Sequence, residues 1–219
     1  MASVLVRFGI AILVLGLSTA NALAADFASS PEKITPILLG TSLPDASLQR
    51  IDGTATTLKQ VVGGKPAILV FYRGGWCPYC NLQLSQLRLV EKDLQSLGYQ
   101  AVAISPDRPE ELKKTLDKDS LNYTLVSDSS ANAMKAFGIA YRVDAATLTQ
   151  YAKYGVDLEK SSGETHHLLP VPGVFVVDGA GIVQFSYVHP DYRVRAPTEV
   201  VLAAARAIAE DKHKLKPAH

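Results

Sequence analysis

The sequence predicts an α/β fold in three layers, with a central mixed sheet and helices on both faces. Apolar runs of strand length alternate with segments of helical periodicity between residues 65 and 137, which is the pattern of parallel β-α-β units. Two more apolar runs are then joined by the turn sequence Asp178-Gly179-Ala180-Gly181, a hairpin signal that adds antiparallel strands.

Each element has its own local signal. The residues flanking Ile51-Asp52-Gly53 predict a hairpin, followed by a short helix at 58–62. The segment at 155–165 is polar and predicts a loop. The predicted core strands are 65–72, 101–105, 123–127, 174–177 and 182–188. The predicted helices are 78–97, 109–118, 128–137 (capped by Asp128 or Ser129), 144–154 (capped by Asp144) and 197–209.

The amino terminus predicts export. Arg7 precedes an apolar stretch at 8–17, and Ala22-Leu23-Ala24 follows it, as in a secretory signal peptide cleaved before Ala25. An uncleaved anchor is the alternative, although the stretch is shorter than the roughly 18 residues of a spanning helix. We therefore expect a signal peptide at 1–24, a flexible lead-in at 25–40, one domain at 41–210 and a flexible tail at 211–219, in an oxidising, periplasmic setting.

The near-zero net charge bears on which partners the protein can bind. Lys and Arg number 22 against 21 Asp and Glu, a formal net charge of +1. This balance lacks the basic excess by which proteins bind nucleic acid or an anionic membrane. The sequence therefore predicts no nucleic-acid partner.

Both cysteines lie in one motif, Trp76-Cys77-Pro78-Tyr79-Cys80, between the strand at 65–72 and the helix that begins at Pro78. A helix N-terminus stabilises a thiolate, and so short a disulfide loop contributes little to stability. The motif therefore indicates redox chemistry. The alternatives are a purely structural disulfide and half of a metal site completed by His166 and His167; we predict no metal.

Three segments carry a family resemblance: residues 71–80, Ala103-Ile104-Ser105-Pro106-Asp107, and 171–178. With them, about 44–209 resembles the peroxiredoxin-like branch of the alkyl hydroperoxide reductase / thiol-specific antioxidant family, in the thioredoxin-fold superfamily. The resemblance implies a thioredoxin-like fold and a thiol peroxidase without a cofactor. It also implies a thioredoxin-like or other thiol reductant, and a hydroperoxide or protein disulfide as substrate.

The resemblance leaves the attacking cysteine open. In a thioredoxin-type reductase Cys77 attacks and Cys80 resolves, and Trp76 before the pair fits that pattern. In a peroxiredoxin the attacking cysteine aligns with Cys80, with a threonine three residues earlier and a proline seven earlier. This chain has Cys77 and Arg73 at those places, so the hydroxyl that holds the peroxide in the family is missing.

Other residues are assigned supporting roles. Arg73 is expected to lower the pKa of the attacking thiol, the alternative being a solvated turn residue. By resemblance, Pro172 forms a cis peptide bond facing the cysteines, with Val171 presenting its backbone to a substrate; a trans turn proline is the alternative. Arg193 or Arg195, after the last strand, is placed to approach the site.

The sequence thus favours reduction of hydroperoxides with a Cys77–Cys80 disulfide formed in each turnover. A periplasmic thiol-disulfide oxidoreductase is the close alternative. A third is a copper-binding chaperone that uses both cysteines and a histidine. The oligomeric state is left open, and the helix at 144–154 is either a dimer surface or part of a substrate groove.

Overall fold

The computed structural model of the protein describes residues 26–119, 123–211 and 214, so the predicted signal peptide lies outside the described residues. In these ranges the strands are β1 Ser47–Arg50, β2 Ala55–Thr57, β3 Ala67–Phe71, β4 Gln100–Ser105, β5 Thr124–Ser127, β6 Ala140–Arg142, β7 Leu168–Pro170, β8 Gly173–Val177 and β9 Val183–Val188. The helices are α1 Leu58–Val62, α2 Pro78–Leu89, α3 Glu91–Ser96, α4 Pro109–Asp119, α5 Asn132–Ala136, α6 Ala145–Lys153, α7 Leu158–Ser162 and α8 Thr198–Ala209. None of these helices has both the length and the hydropathy of a membrane span.

Seven of the described strands form one mixed sheet in the order β2-β1-β5-β4-β3-β8-β9. β3, β4 and β5 are parallel, and β3 is also paired antiparallel with β8. Val70 of β3 therefore lies between Ala103 and Val174. The predicted α/β class with a central mixed sheet is confirmed, and β3, which leads to the cysteines, is a central strand.

The sheet has an apolar core on each face because successive side chains of a strand point to opposite sides. Leu69 and Phe71 of β3 belong to one core, where Phe71 packs against Phe137 and Phe175 at ring-centroid distances of 4.8 and 5.8 Å. Ile68 and other β3 residues belong to the second core, which includes apolar residues of α2, α3, α4 and α8. The molecule accordingly has the three layers that the sequence predicts.

Two local predictions were wrong, and two short strands were not predicted. The helix predicted at 78–97 is broken at Val90, whose φ of −105° and ψ of 5° are not helical. The loop predicted at 155–165 contains α7, whose N-cap Asp157 accepts a hydrogen bond from the Lys160 N–H. β6 and β7 were not predicted; each has only three residues, and they form a separate two-stranded sheet.

The described part of the predicted flexible lead-in, residues 26–40, contacts the domain. Ala28 forms a parallel bridge with Tyr141, and the Thr35 N–H donates to the carbonyl of Gly138 at 3.1 Å. A Cβ on Gly138 would stand 2.0 Å from the Thr35 carbonyl oxygen, so this approach requires glycine. These contacts hold the segment against the domain, while its flexibility stays a prediction.

Candidate active site

The cysteine motif lies at the carboxyl end of β3, where open α/β sheets place their functional sites. After β3 the chain turns through Gly74, whose φ of +145° suits glycine. A Cβ there would stand 2.3 Å from Trp76 Nε1 and 2.8 Å from Asp107 Oδ1. Asn81 Nδ2 donates to the Gly75 carbonyl at 2.9 Å and ties this turn to α2.

Cys77 is the N-cap residue of α2 and Pro78 is its first helical residue. The Cys77 carbonyl accepts hydrogen bonds from the N–H groups of Cys80 and Asn81 at 3.0 and 3.1 Å. Both thiols are free and buried, with 1% and 0% of Cys77 and Cys80 exposed. The helix thus places one thiol at its positive end and the other one turn inside.

The pKa values of the two thiols are shifted in opposite directions. A hydrogen bond from the Cys80 thiol is the largest effect that lowers the pKa of Cys77, with further lowering by the positive charges of Arg73 and Arg195. These effects outweigh burial and bring the Cys77 pKa to about 6. Burial raises the pKa of Cys80 well above its ordinary value, and donation of its proton to Cys77 raises it further. These shifts favour the thiolate on Cys77 over Cys80.

Arg195 is the arginine that reaches the sulfurs. Its Nη2 lies 3.3 Å from Cys80 Sγ and 3.9 Å from Cys77 Sγ, and its Nη1 donates to Gln83 Oε1 at 3.0 Å. Arg193 instead pairs with Asp191 at 2.8 Å. Of the two arginines considered from the sequence, the structure brings Arg195 to the site.

Arg73 is buried, so its reading as a solvated turn residue is wrong: only 2% of it is exposed. Its guanidinium donates a hydrogen bond to the Tyr151 hydroxyl. It also lies over the rings of Tyr192 and Trp76, at 4.2 and 5.0 Å from their centroids. No carboxylate of the described residues forms an ion pair with it, and a buried cation without a carboxylate stabilises a neighbouring thiolate.

Asp107 lies in one of the three segments that carry the family resemblance, but it was not predicted as a site residue. It follows β4 and is 2% exposed, and its Oδ2 accepts a hydrogen bond from the Gly75 N–H at 2.7 Å. Burial raises its pKa to about 7, although the Gly75 N–H and the Ser105 hydroxyl favour ionisation. Asp107 directly follows a buried parallel strand, at the sheet edge that holds the cysteines. This position could have identified it as a site residue.

The cis prediction for Pro172 is wrong, because the described residues contain no cis peptide bond. Val171 is fully buried, and its N–H donates to the Ile139 carbonyl at 2.8 Å. That N–H is therefore engaged within the protein and is not presented to a substrate. Pro172 precedes β8 and is itself buried.

His166 is engaged at both ring nitrogens. Its Nδ1 accepts from the Leu168 N–H at 2.9 Å, which leaves Nε2 to donate to the Ser129 carbonyl at 2.7 Å. His167 lies 2.7 Å from Glu159. Within the ranges that the structure describes, no group of three or more His, Cys, Asp or Glu side chains is placed to hold a metal ion. The geometry gives the copper alternative no support.

A Cys-x-x-Cys pair with one acidic thiol, at a helix N-terminus beside the central strand, defines a thiol-dependent oxidoreductase. The model of the AhpC/TSA family matches residues 39–186. Peroxiredoxin Bcp of Escherichia coli (strain K12) is 31% identical over 106 residues, which are 48% of this chain and 67% of that protein. The chain therefore belongs to the AhpC/TSA family and is an enzyme of the thiol peroxidase class, which confirms the resemblance seen in its motifs.

Solved structures confirm the fold. The peroxidoxin BcpB from Mycobacterium tuberculosis gives a TM-score of 0.59 at 21% identity, covering 78% of this chain and 97% of that one. The reduced Prx3 in complex with H₂O₂ from Vibrio vulnificus gives 0.63 at 18% identity, covering 77% and 99%. The three-layer architecture is thus the thioredoxin fold of the peroxiredoxins.

Proposed function

We propose that the protein reduces hydroperoxides by attack of the Cys77 thiolate, with Cys80 as the resolving thiol. The observation that supports this assignment is the pair itself: the neighbouring Cys80 thiol has the largest effect that lowers the pKa of Cys77, and the Arg195 guanidinium lies within 4 Å of both sulfurs. Attack on the peroxide gives a sulfenic acid on Cys77, and Cys80 condenses with it to form a disulfide. An external thiol, thioredoxin-like or other, then reduces the disulfide.

The site supplies positive charge where the reaction needs it. The leaving oxygen of the peroxide becomes negative as the O–O bond breaks, and groups that stabilise such charge lower the barrier. Arg73 has a buried Nε without a hydrogen-bond partner among the described residues, and Arg195 lies at the sulfurs. These two guanidinium groups take the place of the missing threonine hydroxyl.

Thiol-disulfide exchange is the second candidate, favoured by the assignment of the thiolate to Cys77, the attacking position of thioredoxin-type reductases. Mixing the reduced protein rapidly with stoichiometric hydrogen peroxide separates the two functions. Thiol loss orders of magnitude faster than that of free cysteine supports the peroxidase. Loss no faster than free cysteine, together with rapid reaction with a peptide disulfide, would leave exchange as the function.

We also propose that the protein acts outside the cytoplasm, in the periplasm. The support is the sequence of residues 1–24, with its basic residue, apolar stretch and Ala-Leu-Ala cleavage signal. Expression of the full chain followed by cell fractionation tests this: the expected product is a periplasmic protein that begins at Ala25. A cytoplasmic product that retains Met1 would contradict it.

A further inference from the structure

Asp107 is a buried carboxyl group whose second oxygen has no evident structural task. Its Oδ2 holds the turn before Cys77, while Oδ1 is buried and accepts no well-formed hydrogen bond from any described residue. Trp76 Nε1 is likewise buried without a partner, and both atoms lie within 3 Å of where a Gly74 Cβ would stand. Buried polar groups without partners are rare in native proteins and indicate a functional role or an exchangeable proton.

Neighbouring charges do not neutralise Asp107 in the described structure. The nearby cations Arg108 and Lys114 lie within 3.7 and 2.8 Å of Glu111 instead. The other titratable or charged groups that face Asp107 or line its cavities are Arg73, Tyr72, Cys77, His166, His167 and Glu111. The negative charges of Glu111 and of the Cys77 thiolate repel a charge on Asp107 and so oppose its ionisation. Loss of the negative charge on Cys77 therefore makes Asp107 easier to ionise.

A cavity of about 480 Å³ lies elsewhere, along α6, whereas a smaller one of about 230 Å³ reaches Asp107. The smaller cavity is lined by Gly75, Trp76, Glu111 and Thr115 as well as Asp107. A polar space of this size is large enough to admit water, which would connect the buried carboxyl group to solvent. Asp107 is thus placed between the turn that carries the cysteines and a route for protons.

We infer that Asp107 is the proton store of the cysteine pair, protonated when the pair is reduced and ionised when it is a disulfide. The inference rests on the proposed role of Cys77 and Cys80 as a redox couple. It assigns Asp107 a positioning and proton-holding role, acting on the sulfurs through charge.

The proton balance of turnover requires such a donor. The Cys77 thiolate forms an S–O bond and the peroxide O–O bond breaks, so sulfur is oxidised and the leaving alkoxide takes up one proton. Cys80 then forms the S–S bond, and its proton leaves with the hydroxyl group as water. One proton is consumed overall, and Asp107 supplies it as its carboxyl group becomes a carboxylate.

The site thereby keeps one negative charge in both redox states, which matters because Arg73 and Arg195 stay positive. An uncompensated buried charge is strongly destabilising. When an external dithiol reduces the disulfide, its two electrons regenerate the thiol pair. Its two protons go to Cys80 and Asp107, which restores the starting state.

Counting protons tests the inference without using peroxide. The reduced and oxidised protein is equilibrated with the dithiothreitol couple between about pH 6 and 7, where Cys77 is ionised and Asp107 is protonated in the reduced state. We expect about two protons taken up per disulfide reduced in the wild type and close to one in Asp107→Asn. Asp128→Asn is the matched control: Asp128 is also buried with a pKa raised by burial to about 7, but its oxygens cap α5. The Asp128→Asn variant should take up about two protons per disulfide reduced, as the wild type does.

Infrared difference spectra of the wild type provide a measurement that needs no variant. Oxidation should remove the carbonyl band of one protonated carboxyl group. An equal proton count in wild type and Asp107→Asn, or an unchanged carboxyl band on oxidation, would overturn the inference. Because neither measurement involves peroxide, failure of the peroxidase assay leaves this result standing, and the reverse also holds.

Discussion

At the scale of single residues, Arg195 is a charged side chain that contacts both sulfurs and lowers the pKa of both thiols. Its guanidinium contacts both sulfurs and is anchored by Gln83. A positive charge within about 4–6 Å favours the ionised form of an acid and lowers its pKa. Arg195 therefore adds to the lowering of the Cys77 pKa, in which the Cys80 thiol and Arg73 have larger effects.

Replacement of Arg195 by leucine should raise the Cys77 pKa by less than about one pH unit, since only the Coulomb attraction of its guanidinium is lost and the larger effects of the Cys80 thiol and Arg73 remain. The pH dependence of alkylation by iodoacetamide measures this pKa. Arg193→Leu is the matched control, because Arg193 lies on the same loop and pairs only with Asp191 among the described partners. Equal Cys77 pKa values in the two variants would contradict the role of Arg195.

At the scale of secondary-structure elements, α6 forms part of the site. Tyr151, near its end, accepts the hydrogen bond from Arg73, and its ring lies 5.6 Å from that of Trp76. The sequence left open whether this helix is a dimer surface or part of a substrate groove. Its contacts with Arg73 and Trp76 support a place for it beside the active site. The groove of about 480 Å³ beside it includes Tyr151 and Tyr192, which also contact Arg73.

Removing the Tyr151 hydroxyl should destabilise the reduced protein. Tyr151→Phe leaves a buried guanidinium donor without its acceptor, at a cost of about 1–3 kcal/mol in the free energy of unfolding. Tyr154→Phe, at the end of the same helix and 75% exposed, should change it by less than about 0.5 kcal/mol. Urea unfolding of both variants provides the comparison, and equal midpoints would show that Arg73 does not need this acceptor.

Elements with strong local signals were predictable from the sequence, and those that depend on distant partners were not. β3 is a continuous apolar run and α2 has Pro78 at its start, so the cysteine site was located correctly. β6 and β7 are too short to show a periodicity, and they exist through pairing between residues far apart in the chain, with Ala140 and its partner Pro170 separated by 30 positions. α7 did carry local signals, Asp157 before it and Gly163 after it, which its polar composition obscured.

Side-chain contacts were harder to predict than elements. The sequence offered both Arg193 and Arg195, and spacing alone does not show which one folds back onto the sulfurs. Asp107 is joined to the site through a backbone N–H 32 residues earlier. Such contacts depend on how β3 and β4 are paired, which the local sequence does not contain.

At the scale of the whole molecule, two buried carboxyl groups link stability to pH. Burial raises the pKa of Asp107 and of Asp128 to about 7, from an ordinary value of 3.8. The folded protein therefore binds more protons than the unfolded chain between these values. Their stabilising contribution is fully present below about pH 4 and is lost as pH rises through about 7.

The reduced protein should accordingly lose stability as pH rises from about 4 to 5, a window in which the Cys77 thiol is still largely protonated in the folded and unfolded states. In Asp107→Asn the free energy of unfolding should depend less steeply on pH, because one of the two titrating carboxyl groups is removed. Urea unfolding at a series of pH values measures the slope for both proteins. A wild-type stability that increases with pH across this window would contradict the assignment of the two carboxyl groups.

The proposed mechanism requires that Cys77 carry the thiolate that attacks the peroxide. To test this, reduced Cys80→Ser and Cys77→Ser are mixed separately with hydrogen peroxide, and the trapped sulfenic acid is identified by mass spectrometry. We expect rapid formation of a sulfenic acid on Cys77 in Cys80→Ser, with a rate that falls below about pH 6, and slow oxidation in Cys77→Ser. Rapid sulfenic acid formation on Cys80 in Cys77→Ser, with Cys77 inert in the other variant, would contradict it.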